Sequence, residues 1–362
     1  MLSSLVSPAQ VARIAGIVRH QVGQLYQRML PPSAAMMEMV MNAWAAQAIT
    51  TAADLGIADA LANGPLSADE LARAVNADAD AVSRLLRALI SRGIFRQRRD
   101  GRYELTPLAD CLRSDAEVSL RGFARFLGAA QHREHWSHLT NVIRTGRPAI
   151  PELRGKPIFE YLQDEPEFAE IFNDAMTSGS ELAVAALTAA YDFSCYDTIV
   201  DVGGGHGRLL AAVLEVTPQA RGVLFDLPAV VAGAPAVLSE RHVQDRVKIV
   251  PGSFFEAIHE GGDAYVLKNV IHDWPDDEAV RILRNVRNAA DPGKHVLLLE
   301  FVIPDHDREF PGKWADLEML LIAGARERSA AEYEQLLSSA GFRMTRVVAT
   351  ASPFSVVEAV AV

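Results

Sequence analysis

The chain has 362 residues, of which 49% are apolar, and this length exceeds what a single hydrophobic core usually organises, so two domains are expected. A formal net charge of -11 at pH 7 argues against a constitutive nucleic-acid binder, which needs a positive field to attract phosphate. The two cysteines, Cys111 and Cys195, lack metal-ligand spacing, and no apolar run could span a membrane, so a reduced, cytoplasmic protein without disulfides is expected.

The first predicted elements are helices. Residues 36–57 predict one long buried helix, because methionine and alanine recur there at helical spacing. A shorter helix opens with Ser67 and Glu70, whose spacing is that of a capping box. The next helix, over 80–91, places its leucines on one face and ends before a glycine.

A hairpin follows these helices. The runs 94–98 and 102–106 flank an Asp-Gly turn, which is a strong hairpin signal. Two helices and a hairpin make a winged-helix arrangement, for which we expect the boundaries 1–115. Arginines make this region locally basic, so a DNA-binding regulator is an alternative interpretation. The apolar N-terminal helices favour the interlocking of two subunits. Met36, Met37, Met39 and Met41 could lie in the core, at a dimer contact or in the wall of the substrate site, and their flexible thioethers favour the first two.

Residues 116–362 predict a helical bridge followed by an α/β domain. After residue 190, short β-branched runs alternate with amphipathic helices, which is typical of a Rossmann-like, mostly parallel sheet covered on both faces. The last two runs should pair antiparallel, because too few residues connect them for a parallel crossover. The predicted strands are 198–202, 222–225, 247–250, 264–267, 295–299, 343–349 and 354–360.

A glycine loop follows the first strand of this domain and precedes a helix. A strand, a glycine loop and a helix together let a ligand approach the backbone at the carboxyl edge of the sheet. The glycines at 203, 205 and 207 differ in spacing from a dinucleotide fingerprint, whose third glycine would stand at Arg208.

Two further elements follow the next two strands. Asp226 closes the second strand, where a carboxylate can accept hydrogen bonds from both hydroxyls of a ribose. After the third strand, Phe254 could lie against an adenine ring, with Ser253 near its amino edge. Any one of these elements could be an ordinary tight turn, but three in register after successive strands favour a nucleoside site.

A histidine follows the fourth strand at the same edge of the sheet. His272 would be joined there by Glu300, at the end of the fifth strand, and by Glu327, beyond the helix expected over 314–325. A histidine titrates near pH 6.5 and a free phenol near 10, so a neutral imidazole held against a phenol can take its proton. The two glutamates would orient the ring and stabilise the imidazolium.

These motifs, with Leu227, Lys268, Asp273 and Trp274 beside them, resemble the class I, plant-type small-molecule O-methyltransferases and their bacterial relatives. The resemblance covers nearly the whole chain and implies a methyltransferase sheet, an N-terminal winged-helix dimerisation domain and a homodimer. It also implies the cofactor S-adenosylmethionine, the product S-adenosylhomocysteine, no metal, and a small hydroxylated acceptor that is aromatic, a quinol or polyketide-like.

The resemblance implies a role for individual residues. His272 would be the base, flanked by Glu300 and Glu327. The residues expected to contact the cofactor are Ser180, Asp201, Gly203, Gly205, Asp226, Leu227, Ser253, Phe254 and Lys268. Those expected to line the acceptor pocket are Phe172, Met176, Trp274, Asp316 and Met319. Relatives usually carry aspartate where this chain has Ser253. A nitrogen or carbon acceptor remains an alternative, as does a decarboxylase or hydroxylase on the same fold.

Overall fold

The computed structural model describes residues 7–362, apart from the side chains of residues 180–182. The chain forms two compact units. One consists of Val22–Thr140 and Lys156–Leu182, and the other contains Asn141–Gly155 and Ala183–Val362 together with the segment before residue 22.

The N-terminal part of the chain is helical apart from one hairpin, as the sequence predicts. Its elements are α1 (Pro8–Arg28), α2 (Pro32–Asp54), α3 (Ile57–Ala60), α4 (Ala68–Ala74), α5 (Ala79–Ile90), β1 (Phe95–Gln97), β2 (Tyr103–Leu105) and α6 (Pro107–Asp110). The two strands pair antiparallel, with Phe95 opposite Leu105, so the hairpin is confirmed.

Local signals set the ends and the faces of these helices. The Ser67 hydroxyl accepts a hydrogen bond from the Glu70 amide, and the Glu70 carboxylate accepts one from the Ser67 amide, so the capping box is confirmed. Helix α5 buries Val82, Leu86 and Leu89, which recur at helical spacing along one face.

Helix α2 forms as predicted, but the expectation that it is buried over its whole length is wrong. Only Thr50, Ala52 and Ala53 are buried, all near its C-terminal end. Its first half instead carries exposed apolar side chains, namely Met36, Met37, Met39, Val40, Met41 and Trp44. The helical spacing of apolar residues predicts a helix. It does not show whether other residues of the same chain pack against the apolar face of that helix.

Six helices follow residue 116, in the segment where the sequence predicts a helical bridge. They are α7 (Arg121–Gly128), α8 (Ala130–Ser137), α9 (Leu139–Thr145), α10 (Ala149–Arg154), α11 (Ile158–Asp164) and α12 (Pro166–Ala190). Helix α7 packs closely on α2, because a Cβ added at Gly128 would lie 2.0 Å from the Thr50 hydroxyl oxygen. That hydroxyl donates to the carbonyl of Ala124 at 2.8 Å.

Strands and helices alternate after residue 197, which confirms the predicted α/β pattern. The elements are β3 (Thr198–Val202), α13 (Arg208–Val216), β4 (Arg221–Asp226), α14 (Pro228–Val231), α15 (Ala234–Glu240), β5 (Val247–Pro251), β6 (Ala264–Lys268), α16 (Asp276–Ala289), β7 (His295–Ile303), α17 (Pro311–Ala323), β8 (Arg328–Ser329), α18 (Ala330–Ser339), β9 (Phe342–Ala349) and β10 (Phe354–Ala361).

The main sheet has the strand order β5-β4-β3-β6-β7-β10-β9, and the short β8 pairs with β7. The first five strands in this order are parallel, and β10 runs antiparallel to both of its neighbours, as predicted. Strand β7 is four residues longer than the predicted 295–299, so Glu300 lies inside the strand and not at its end, where the sequence placed it.

Helices cover both faces of this sheet because successive strand residues point to opposite sides. Ile199 packs in the cluster that contains the buried leucines of α13 and α15, whereas Val200 packs in the cluster that contains those of α16 and α18. Because β3, β4, β5 and β6 pair in parallel, their carboxyl ends meet at one edge of the sheet. The loops that follow these strands lie side by side at that edge.

Candidate active site

The glycine loop connects β3 to α13 in a left-handed backbone conformation. The φ angle is +69° at Gly203, +60° at Gly205 and +80° at Gly207, values that favour glycine. The Gly203 amide donates to the carbonyl of Phe225 at 2.8 Å, which holds the loop against β4. A Cβ added at Gly205 would meet no described atom within 4 Å, so the backbone is open to a ligand there.

Asp226 faces this loop from the end of β4. Its carboxylate accepts a hydrogen bond from the Gly205 amide at 2.8 Å and another from the Leu227 amide at 2.7 Å. An ionised carboxylate has about four acceptor positions, so two remain for a diol such as a ribose. Leu227 is 51% exposed beside it and offers an apolar surface.

Asp201 and Lys268 lie beneath the loop. A Cβ added at Gly204 would lie 2.6 Å from the Asp201 carboxyl group, whose Oδ2 has no hydrogen-bond partner in the described part of the chain. Burial raises the pKa of Asp201 to about 7, although the Lys268 ammonium opposes the change. Burial lowers the pKa of Lys268, while the charges of Asp201 and Glu300 raise it. Lys268 therefore links the loop electrostatically to the glutamate of β7.

Aromatic side chains gather after β5. The rings of Phe254 and Phe255 lie 5.0 Å apart, and Trp274 packs edge-on against Phe255 at 4.6 Å. The Ser253 hydroxyl accepts a hydrogen bond from the Phe255 amide, so it stabilises the turn that presents these rings. Trp274, which the resemblance assigns to the acceptor pocket, thus packs beside the loop expected to hold the adenine.

His272 lies in a short 3-10 turn after β6. The chain leaves the strand through Asn269, which has a φ of +52°, a value that asparagine tolerates better than most residues. The amides of Val270 and Ile271 then donate to Glu300 Oε1 at 3.1 and 3.0 Å. The expectation that Glu300 orients the imidazole ring is therefore corrected, because its hydrogen bonds hold the backbone that carries the ring.

Glu327 contacts the imidazole directly. The His272 Nδ1 and Glu327 Oε1 atoms lie 2.8 Å apart, and the glutamate side chain is fully buried. Because an ionised carboxylate can only accept, Nδ1 carries the proton of this hydrogen bond and Nε2 remains for another partner. Nε2 lies 3.4 Å from the carboxylate of Asp273.

Three carboxyl groups surround the single imidazole. Burial alone lowers the pKa of His272, but Asp273, Glu300 and Glu327 together raise it to about 10. Burial raises the pKa of Glu300 to about 7 and also raises that of Asp273. The acidic surroundings of His272 therefore favour a proton on the ring in the free protein.

The same cluster has the spacing of a metal site. One ligand atom each from His272, Glu300 and Glu327 lie within 4.8 Å of one another. The hydrogen bonds already described account for this proximity, since Glu300 Oε1 accepts two amides and Glu327 Oε1 accepts the imidazole proton. One oxygen of each glutamate and one nitrogen of the imidazole are thus engaged in holding the ring and its backbone.

Two aspartates near His272 have contacts that the sequence did not predict. The sequence assigned no role to Asp273 and placed Asp316 only in the acceptor pocket. Asp273 follows His272 directly, and this adjacency is the signal that could have identified it. Asp316, which the resemblance assigns to the acceptor pocket, accepts a hydrogen bond from the Glu327 amide at 2.9 Å, and burial raises its pKa. It therefore supports the glutamate that contacts the imidazole.

The remaining expected residues lie in α12 and α17. Met319 is buried in α17, in the unit that contains His272. Phe172 and Met176 belong to the other unit, where Phe172 packs edge-on against Phe126 at 5.6 Å and Met176 is 41% exposed. The side chain of Ser180 lies outside the described part of the chain.

Comparison with known proteins matches two parts of the chain to family models. Residues 136–343 match the model of an O-methyltransferase domain, and residues 37–115 match that of an O-methyltransferase dimerisation domain. The first match covers more than half of the chain.

Individual relatives match along most of their length. Phenazine O-methyltransferase PhzM from Lysobacter antibioticus is 39% identical over 91% of this chain and 96% of the relative. The 8-amino-8-demethylriboflavin N,N-dimethyltransferase of Streptomyces davaonensis is 33% identical over 84% of this chain and 89% of the relative. The crystal structure of NcsB1, an O-methyltransferase from neocarzinostatin biosynthesis in complex with S-adenosylmethionine and 2-hydroxy-5-methyl naphthoic acid, superimposes with a TM-score of 0.74. It is 34% identical and matches over 88% of this chain and 96% of its own.

The open glycine loop, the carboxylate at the end of β4 and the histidine after β6 thus lie in a chain that resembles these proteins in sequence and in fold. The chain belongs to the family of S-adenosylmethionine-dependent O-methyltransferases.

Proposed function

We propose that this protein methylates a hydroxyl group of a small aromatic, quinol or polyketide-like metabolite, with His272 as the general base. The observation that carries the proposal is the 2.8 Å hydrogen bond from His272 Nδ1 to Glu327. It fixes the imidazole in one tautomer and leaves Nε2 as the atom that can accept a proton.

Asp201, Gly203, Gly205, Asp226, Leu227, Ser253, Phe254 and Lys268 would hold the cofactor, as would Ser180. The open backbone at Gly205 and the unused acceptor positions of Asp226 fit a ribose, and the ring of Phe254 fits an adenine. When bound, S-adenosylmethionine supplies an electrophilic methyl group. The protein contributes alignment and removal of the acceptor proton, and alignment of bound reactants alone is worth roughly 7–11 kcal/mol.

The carboxylates around His272 suit proton removal from a phenol. The raised pKa of the imidazole, about 10, is close to that of a free phenol, which is near 10. A phenol hydrogen-bonded to the neutral ring can therefore transfer its proton at little cost, and Glu327 stabilises the imidazolium. Phe172, Met176, Trp274, Asp316 and Met319 are proposed to line the acceptor site.

A nitrogen acceptor is the second candidate, and it rests on the similarity to the flavin N,N-dimethyltransferase. An amine needs a base less than a phenol does, because its lone pair is already nucleophilic before a proton leaves. The His272–Glu327 pair favours the hydroxyl, since an imidazole held by a carboxylate partner is suited to removing a proton.

We further propose a homodimer built through the N-terminal domain, with the domain boundary near residue 115. Exposed apolar side chains on α1 and α2, including Val18, Leu25 and Trp44, support this assembly.

The proposal of a small-molecule enzyme rather than a DNA-binding regulator predicts no gel shift at physiological salt. Within the described residues no helix is long and apolar enough to cross a bilayer. The free Cys111 and Cys195 support a proposed location in the reducing cytoplasm.

The function is tested by incubating the protein with labelled S-adenosylmethionine and a panel of phenols, quinols, hydroxylated polyketides and aromatic amines. We expect transfer to a hydroxyl. The His272→Ala variant should bind S-adenosylmethionine with unchanged affinity in calorimetry and lose about 10²- to 10⁴-fold in turnover. Transfer to an amine alone would favour the second candidate, and an unchanged rate in the variant would remove the general-base assignment.

A further inference from the structure

Arg328 is a fully buried cation close to His272. Its side chain is 1% exposed, and it lies next in sequence to Glu327 at the start of β8. A buried charge is costly unless every polar group of it is paired, so the partners of this guanidinium indicate what it is for.

The guanidinium bonds to the backbone on both sides of His272. One terminal nitrogen donates to the carbonyl of Ile271 at 2.9 Å, and the other donates to the carbonyl of Trp274 at 2.9 Å. Both carbonyls belong to the turn that carries the imidazole. A guanidinium can hold two acceptors at once because its donors form a rigid planar fork.

Asp276 orients this fork. Its Oδ1 accepts hydrogen bonds from Arg328 Nε at 3.0 Å and from the terminal nitrogen that also reaches Trp274, at 2.7 Å. The Asp276 side chain is 61% exposed, so its carboxylate can be altered without opening a cavity in the core. Arg328 is not among the main charges that shift the pKa of His272, and this favours a geometric role over an electrostatic one.

The segment from Arg326 to Arg328 follows the His272 turn along its length. The Arg326 amide donates to the His272 carbonyl at 3.2 Å, Glu327 accepts from the ring, and Arg328 donates to the two flanking carbonyls. The backbone of this segment is fixed by the pairing of Arg328 with Val302 of β7 and by Ser329, which caps α18.

We propose that Arg328, oriented by Asp276, is a positioning residue that fixes the backbone on both sides of His272 and so keeps the imidazole against Glu327. This inference rests on the proposed role of His272 as the base. A merely structural arginine would stabilise the fold without changing the behaviour of the ring, and the two roles are therefore separable by experiment.

The test compares the full-length wild type with Asp276→Asn, Arg328→Lys and the matched control Asp277→Asn. Asp277 is an exposed neighbour in the same first turn of α16, so both aspartate variants lose one charge near the same helix N-terminus. The readout is the low-field NMR resonance of the His272 Nδ1 proton, assigned by its loss in His272→Gln, together with its rate of exchange with water. Thermal unfolding and calorimetry with S-adenosylmethionine are measured in parallel.

We expect Asp277→Asn to match the wild type and Asp276→Asn to exchange this proton about tenfold faster, with unchanged affinity for S-adenosylmethionine. Arg328→Lys keeps the charge, but a lysine cannot donate to both carbonyls at once. Its Nδ1 proton should therefore also exchange faster than that of the wild type. If Arg328→Lys fails to fold, the comparison of Asp276→Asn with Asp277→Asn tests the positioning role by itself. Equal exchange in the two aspartate variants would overturn the positioning role. Failure of the wild type to bind S-adenosylmethionine would instead overturn the proposed function. The exchange rates of the Nδ1 proton would still test the positioning role, because they are measured without the cofactor.

Discussion

Replacing Glu327 by glutamine tests the electrostatic part of the proposed mechanism. The substitution keeps the size of the side chain and its carbonyl oxygen 2.8 Å from His272 Nδ1, but it removes the charge. Hydrogen bonds to charged groups contribute about 1.5–3 kcal/mol, and neutral ones about 0.5–1.5 kcal/mol. The imidazolium formed during the reaction therefore loses about 1.4 kcal/mol of stabilisation, which corresponds to about a tenfold lower turnover on the alkaline plateau.

The pH dependence provides a second readout of the same variant. The carboxylates raise the pKa of His272 to about 10, and a base must be neutral to accept a proton, so kcat/KM of the wild type should rise with pH through the alkaline range. Removing one carboxylate lowers this pKa, so the rise should occur at lower pH in Glu327→Gln. Labelled methyl transfer to the acceptor found by screening measures both effects, with the exposed Glu334→Gln as the control. A pH profile that does not move would refute the reasoning.

Three further substitutions test other parts of the structure. Asp226→Asn should weaken S-adenosylmethionine binding about tenfold in calorimetry, because a charged acceptor facing Gly205 is lost; unchanged affinity would argue against a ribose contact. Asp201 has a folded pKa of about 7, above its ordinary value near 3.9, so the native state holds its proton more tightly than the unfolded chain. The contribution of the protonated Asp201 to stability is present at low pH and is lost as pH rises through about 7. The free energy of unfolding of the wild type should therefore fall relative to that of Asp201→Asn between about pH 4 and 7. Urea titrations that show a constant difference between the two proteins would contradict this expectation. Gly128→Ala should destabilise the helical unit by about 1–3 kcal/mol through its clash with Thr50, and adding Thr50→Ala should recover part of the loss if the clash is the cause.

Local signals in the sequence predicted local structure well. The capping box at Ser67, the hairpin turn and the strand ends depend on residues close together in the chain, so their spacing alone identifies them. The glycine loop and the carboxylate of Asp226 could also be predicted, because parallel topology brings the carboxyl ends of neighbouring strands to one edge.

Long-range pairing could not be predicted in the same way. Glu300 and Glu327 were both expected to orient the imidazole, but which carboxylate reaches the ring depends on where β7 ends and how β8 pairs with it. Arg328 contacts the His272 turn across more than fifty residues, and no local pattern marks such a contact. The exposure of the methionines of α2 depends on a covering surface that helical spacing does not reveal.

The position of β10 has a consequence for the biosynthesis of the protein. This strand follows every other strand in the sequence, yet it lies inside the sheet between β7 and β9, with Ser355 opposite Glu300. Until the ribosome has released it, β7 has no partner on that side and the segment carrying Glu300 stays uncovered. The dimerisation region can thus fold during translation, whereas the sheet that carries the methyl-transfer residues is completed only after β10 has left the ribosome.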